Sequence, residues 1–181
     1  MSTLYTVHPS PLGELLIAGP EPGVLASVTV PGQKGGARVL PDWRRDDAAF
    51  ADAVRQFDAY FAGELKEFGL TLAARGSEFR ERVWAALESI PYGATVTYGE
   101  LTAMAGLEPR SVRAVGGAVG SNPLLVVRPC HRVIGANGSL TGYAGGLDRK
   151  RRLLALEGVL RSGGSSGPPP RRATDTRDLA G

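Results

Sequence analysis

The chain has few side chains that do covalent or metal chemistry. Among 181 residues there is one cysteine, Cys130, and there are two histidines, His8 and His131. A lone cysteine excludes an internal disulfide, so the fold must rest on its core. These three residues also fall short of a structural zinc site, which typically takes four protein ligands. No metal and no cofactor are expected. No run of about eighteen apolar residues is present, which excludes a helical membrane span. The opening residues, MSTLYTVHPSPLGELL, have no basic region ahead of an apolar stretch and do not read as a secretory signal. Internal repeats are absent. A cytoplasmic protein without membrane contact is expected.

What is present is ordinary globular composition, 43% hydrophobic and 22% charged, enough to build a core. The length allows one domain or two small ones. The net charge of +3 is unevenly placed. Residues 1–74 carry six Lys/Arg and nine Asp/Glu, whereas residues 75–181 carry fifteen and nine. An acidic half followed by a basic half suggests that only the second meets a polyanion. Uneven surface charge with no partner explains the imbalance equally well.

In the first half, residues 4–7 and 14–18 are short apolar runs joined by a Pro/Gly turn, two strands. Val24–Val30 reads as a third strand. Residues 46–62 form an amphipathic helix with Phe50, Val54, Phe57 and Phe61 on one face. Residues 68–73 suit another strand. Nothing in this half forms a chemical constellation.

Arg75-Gly76-Ser77 marks a boundary. Ser77 suits the N-cap of a helix reaching about Ser89. Thr97-Tyr98-Gly99-Glu100 has the form of a capping box, which places Tyr98 in the first turn of a helix ending near Gly106. Pro109 fits the start of a further helix, ending near Gly120. Two short helices joined by a tight turn make a helix-turn-helix, although many such hairpins bind no DNA. The second helix carries Ala114, Gly116, Gly117 and Ala118, and mid-helix Gly costs about 1 kcal/mol against Ala. Close approach of another backbone would offset that cost, either a protein helix or a nucleic-acid groove. Arg113 is the one long side chain in its middle.

Leu124–Val127 reads as a buried strand leading into Arg128-Pro129-Cys130-His131-Arg132. A lone Cys is more often a small buried hydrophobe than a nucleophile. Here basic neighbours should lower its pKa and favour thiolate. His131 could act as base, but adjacent residues on a strand face opposite ways. A bend at Pro129 or a bridging water would be needed. Residues 135–146 are a Gly-rich loop containing Tyr143, a candidate phenol donor. A last helix spans 148–158 with a basic face. Glu157 is misplaced for the helix dipole at its C-terminus, which hints at a partner such as His131. Residues 162–181 should be a disordered tail.

Pro129-Cys130-His131-Arg132-Val133 resembles the signature of the O6-alkylguanine-DNA alkyltransferases. Further segments resemble that family in the same order: 90–93 and 96–101, Arg113–Ala118, Ser121–Pro123, Gly142–Leu147 and Leu153–Gly158. The resemblance extends over residues 79–159. The resemblance implies an α/β (α+β) fold. A small ribonuclease H-like α/β domain would span 1–74, and a mostly helical, winged helix-turn-helix-like domain carrying the cysteine would span 75–161.

It also implies direct-reversal repair: irreversible, single-turnover transfer of an alkyl group from O6-alkylguanine in double-stranded DNA to Cys130. O4-alkylthymine is a further candidate substrate. In that scheme His131 takes the thiol proton through a water and Glu157 orients the imidazole. Tyr143 donates to the leaving guanine, and Asn122 sits in the hinge before the cysteine. Arg113 fills the gap left by a flipped base, and Tyr98 presses on the neighbouring phosphate. Gly99, Ala114 and Gly117 let the helices lie against the minor groove. The protein would act as a monomer, with cooperative binding along DNA left open.

The chain departs from the pattern at Arg128, usually apolar, at Ala144, often serine, and in a turn at 106–109 one residue longer. The residues leave three other readings open: a non-catalytic damage binder, a redox-sensing regulator and a Cys–His hydrolase.

Overall fold

Alternating burial makes Leu4–His8 (β1) and Leu15–Gly19 (β2) an antiparallel hairpin, paired Leu4 with Gly19 through His8 with Leu15. The turn between them closes by reciprocal backbone bonds of Ser10 and Gly13, with Gly13 at φ 101°, which only glycine adopts cheaply. The expected strand over 24–30 is broken. Val24–Leu25 (β3) and Ser27–Thr29 (β4) belong to different sheets, because the Ala26 amide donates to Ala18 and the chain changes partner there. Arg44–Arg45 (β5) adds in parallel to β1, giving the order β4-β2-β1-β5.

The expected helix begins with a tight turn at Ala48–Phe50 and continues as Ala51–Phe61 (α1). Its buried face is Phe50, Ala53, Phe57 and Tyr60, while Val54 and Phe61 are only half-buried. The face is rotated because Phe68 returns against it, with ring centres 5.2 Å from Phe57 and 5.1 Å from Tyr60. Thr71–Leu72 (β6) then pairs in parallel with β3.

The structure, a computed structural model, describes residues 2–160; the tail expected at 162–181 lies outside the described residues. The chain divides into two units. One comprises the residues up to Arg75 together with Pro123–Val127, and the other comprises Gly76–Asn122 with Arg128 onward.

In the second unit Glu78–Glu88 (α2) starts at Ser77, whose side chain accepts from the Arg80 amide. Val96–Thr97 (β7) leads directly into Tyr98–Met104 (α3). The capping box is present: Thr97 Oγ1 accepts from the Glu100 amide at 3.1 Å, and Glu100 Oε1 accepts from the Thr97 amide at 3.3 Å. A tight turn at Pro109–Ser111 opens Val112–Gly120 (α4), which packs with α2 and α3. Val133–Ile134 (β8) pairs in parallel with β7, and Leu147–Leu156 (α5) closes the unit. Among the described residues no helix is long and apolar enough to cross a membrane.

The strand expected at Leu124–Val127 is a bend. Leu124 alone bridges Val28, and the Val127 amide then turns back to the Leu125 carbonyl around Val126 at φ 71°. A β-branched residue avoids that region unless its surroundings impose it. Here Leu124, Leu125 and Val126 are all buried, so burial holds the turn.

Replacing Thr97 by Ala removes one half of the capping box at the entry of α3. The expected outcome is a loss of about 1 kcal/mol, read by urea unfolding through the buried Trp84. An unchanged midpoint would mean that packing alone sets the start of α3.

Candidate active site

The bend delivers the chain to Arg128 and Pro129, and the Cys130 amide returns to the Arg128 carbonyl at 2.7 Å. Cys130–Arg132 then forms one tight helical turn, not the strand expected from sequence. Successive side chains of such a turn diverge by about 120°. Immediately after it, Val133 and Ile134 pair with Val96 and Thr97, the two residues that start α3. The cysteine turn is thereby fastened beside the first turn of the helix-turn-helix.

His131 and Arg132 both reach Glu157, which follows the last residue of α5. His131 Nε2 lies 2.8 Å from Glu157 Oε2. Arg132 donates from Nε to Oε1 at 2.7 Å and from Nη2 to Oε2 at 3.0 Å. Its remaining Nη1 donates to the Ile90 carbonyl at 2.7 Å. All three side chains are buried. Burial alone would raise the Glu157 pKa, but hydrogen bonds and charge from His131 and Arg132 overcome it and hold the carboxyl far below its ordinary value. Burial pushes His131 down, against the pull of Glu157, so the imidazole is neutral near pH 7. With Nε2–H given to Glu157, Nδ1 is the basic nitrogen. It is buried and has no partner among the described residues.

Cys130 is 4% exposed. Burial pushes its thiol up, while a hydrogen bond from Asn122 and the charges of Lys150 and Arg128 draw it down. The lowering expected from the basic neighbours is overturned: of them only Arg128 pulls the thiol down, Lys150 does so from α5, and desolvation outweighs both, so the resting group is a thiol. Asn122 is buried, and its Nδ2 donates to the Arg128 carbonyl at 2.9 Å. Tyr143 stands in the Gly-rich loop. Burial, with Cys130 adding to it, keeps its hydroxyl protonated well above neutral pH. That hydroxyl is buried and also lacks a partner among the described residues.

Two residues fix the loop. Tyr98 donates its hydroxyl to the Thr141 carbonyl at 3.3 Å. Lys150 donates to the carbonyls of Val133, Thr141 and Gly142 at 2.6, 3.1 and 3.2 Å. Desolvation lowers the Lys150 ammonium to about 8 despite the pull of Cys130. The sequence places Lys150 on the basic face of the last helix and Arg132 among the basic neighbours of Cys130, and shows neither as a buried structural cation. The misplaced acid at Glu157 was the available signal that a buried cation was near.

The helix α4 buries Val115, Ala118 and Val119 and exposes Arg113, Ala114, Gly117 and Gly120. A methyl group built on Gly116, Gly117 or Gly120 would meet nothing within 4 Å. The glycines are therefore not explained by a neighbouring protein backbone among the described residues. Gly99, in the first turn of α3, is exposed as well. The structure thus brings Cys130, His131, Glu157, Tyr143 and Asn122 into one neighbourhood, and leaves Arg113, Ala114 and Gly117 on an open face. Among the described residues no group of three His, Cys, Asp or Glu comes together to hold a metal. Chemically the centre can ionise a thiol on demand and donate a proton to a leaving group.

Residues 78–159 match a family described as "6-O-methylguanine DNA methyltransferase, DNA binding domain", and residues 3–74 match its "ribonuclease-like domain". A methylated-DNA–protein-cysteine methyltransferase of Mycolicibacterium paratuberculosis is 53% identical over 153 residues, 84% of this chain and 91% of that protein. One from Methanosarcina acetivorans is 50% identical over 154 residues, 85% and 97% of the two chains. The crystal structure of Mycobacterium tuberculosis OGT in complex with DNA superposes with a TM-score of 0.79 at 49% identity, covering 85% of this chain and 92% of that one.

Glu157 and His131 both bind fewer protons in the folded state than their ordinary values of 4.5 and 6.5 imply. The unfolded chain takes up those protons first, so stability must fall as pH falls below about 6.5 and more steeply below about 4.5. Thermal unfolding from pH 7 to pH 4 should show this fall. Glu157→Gln, which leaves Arg132 buried against a neutral amide, should lose roughly 3–5 kcal/mol at pH 7 and lose the steepening below about pH 4.5, while the fall that begins below about 6.5 persists. Equal stability of the wild type at pH 4 and 7 would contradict the assignment.

Proposed function

The chain belongs to the 6-O-methylguanine DNA methyltransferase family, repair proteins that move an alkyl group from damaged guanine in DNA to a cysteine, and from that premise we propose that Cys130 is the acceptor. The observation that carries this reading is the pair of buried polar atoms without a partner among the described residues, His131 Nδ1 and Tyr143 Oη, in the neighbourhood of a buried thiol. An unpaired buried polar atom is costly, and here each is the atom the chemistry requires.

His131 Nδ1 takes the thiol proton through a water, and Glu157 stabilises the resulting imidazolium. The sulfur attacks the alkyl carbon in line, and the carbon–oxygen bond breaks with its electron pair going to the guanine oxygen. Tyr143 donates a proton to the departing base. Overall the thiol proton is exchanged for the alkyl group, leaving a thioether and guanine. The thioether is not reversed, so each molecule acts once.

On the DNA side, the open face of α4 lies in the minor groove of a duplex carrying O6-alkylguanine. Gly99, Ala114 and Gly117 permit close approach, Arg113 occupies the stack after the base is flipped out, and Tyr98 presses on the phosphate. One copy supplies every group named, so a monomer suffices. Residues 75–161 carry both binding and chemistry and 1–74 form a separate domain, except that Arg75 and Pro123–Val127 group with the latter. A free thiol kept for one reaction suits the reducing cytoplasm.

Intact mass after mixing with a duplex holding one O6-methylguanine should rise by one methyl group per molecule, located on Cys130 and absent in Cys130→Ser. Binding without any mass gain would leave a damage binder. Arg113→Ala should slow repair of duplex at least about tenfold while leaving reaction with free O6-benzylguanine nearly unchanged, since only the duplex needs a flipped base. Equal losses on both would refute the role given to Arg113.

A further inference from the structure

A buried guanidinium is costly unless something in the fold requires it, and Arg128 is 6% exposed. Its guanidinium carbon lies 4.7 Å from the centre of the Trp84 ring. Its Nε is 3.4 Å from Oε1 of Glu88, and its Nη1 is 3.5 Å from Oδ1 of Asn122. Its backbone carbonyl accepts from Nδ2 of the same Asn122 side chain at 2.9 Å. One residue therefore meets both ends of the amide, with a cation on the oxygen and a carbonyl on the nitrogen. An amide turned over would set NH₂ against the guanidinium and oxygen against oxygen, so only one orientation is tolerated. In that orientation one N–H of Nδ2 goes to the Arg128 carbonyl and the other is left for the sulfur, which Asn122 hydrogen-bonds. An apolar side chain at 128, as the sequence pattern would have it, offers the carbonyl and not the cation.

We infer that Arg128 is a positioning residue: stacked on Trp84 and paired with Glu88, it locks the Asn122 amide so that Nδ2 faces the Cys130 sulfur. The inference deepens the reading of Cys130 as acceptor and rests on it, but the sulfur can be examined without DNA. The other groups facing Cys130 are Lys150 of α5, Tyr98 of α3 and Tyr143 of the loop. Arg128 itself faces Glu88 and Glu81 of α2. Lys150 stays in place when Arg128 is changed, so the sulfur loses part of its support and not all of it.

Because Cys130 is the sole cysteine of the chain, iodoacetamide labelling followed by intact mass reports its ionisation directly. R128L should move the midpoint of the labelling rate against pH upward by about one unit. R128K keeps the charge without the planar fork and should recover only part of that shift. In an N122A background, where there is no amide to hold, R128L should move the midpoint clearly less than it does alone, by the direct pull of the lost charge only, and transfer from O6-benzylguanine should show the same non-additivity. R128M keeps the stem over Trp84 and serves for the same comparison should R128L fail to fold. An unchanged midpoint in R128L, or shifts that simply add in the double variant, would overturn the inference. A wild-type protein that labels with iodoacetamide but takes no methyl group from DNA would sink the repair reading while leaving the Arg128 measurement intact.

Discussion

A carboxylate taken out of solvent stays ionised only if donors meet both of its oxygens. Glu157 meets that condition through Arg132 on both oxygens and His131 on one. The tautomer of His131 follows from this arrangement, because an imidazole that gives Nε2–H to Glu157 presents Nδ1 as its base. The path of the chain follows as well. Arg132 also holds the carbonyl of Ile90 at the end of the segment after α2, so one guanidinium ties the cysteine turn to the chain leading into the helix-turn-helix and to the residue after α5. The thiol, the imidazole and the helix-turn-helix are referred to one buried charge.

Local signals were legible in the sequence. The capping box at Thr97 and Glu100, the Ser77 cap and the β1–β2 hairpin each depend on residues a few positions apart. The face of α1 was half legible: Phe50 and Phe57 are buried as the periodicity indicates, but Phe68, far along the chain, draws Tyr60 inward in place of Phe61. The strand expected over 124–127 failed because an apolar run says that residues are buried, not that they are extended. In the site, the motif residues announced themselves, but the structural part played by Arg132 did not, and neither did Lys150. Basic side chains are ordinarily solvated, and only their partners, three backbone carbonyls for one and Glu157 for the other, show why these two are not.

The open face of α4 carries a propensity cost that no packing explains. Three glycines in a nine-residue helix weaken it, and nothing among the described residues fills the space they leave. A side chain there would stabilise the isolated protein, and under the DNA contact proposed above it would stand between the helix backbone and the duplex.

Cys130 is kept almost wholly out of solvent and as a thiol, not a thiolate. Oxidants and stray electrophiles consume exposed thiolates fastest. For a catalyst, such a side reaction would cost a fraction of turnover. Under the single transfer to Cys130 proposed above, it would cost the molecule. The burial that makes this cysteine slower in isolation therefore gives the proposed acceptor shelf life.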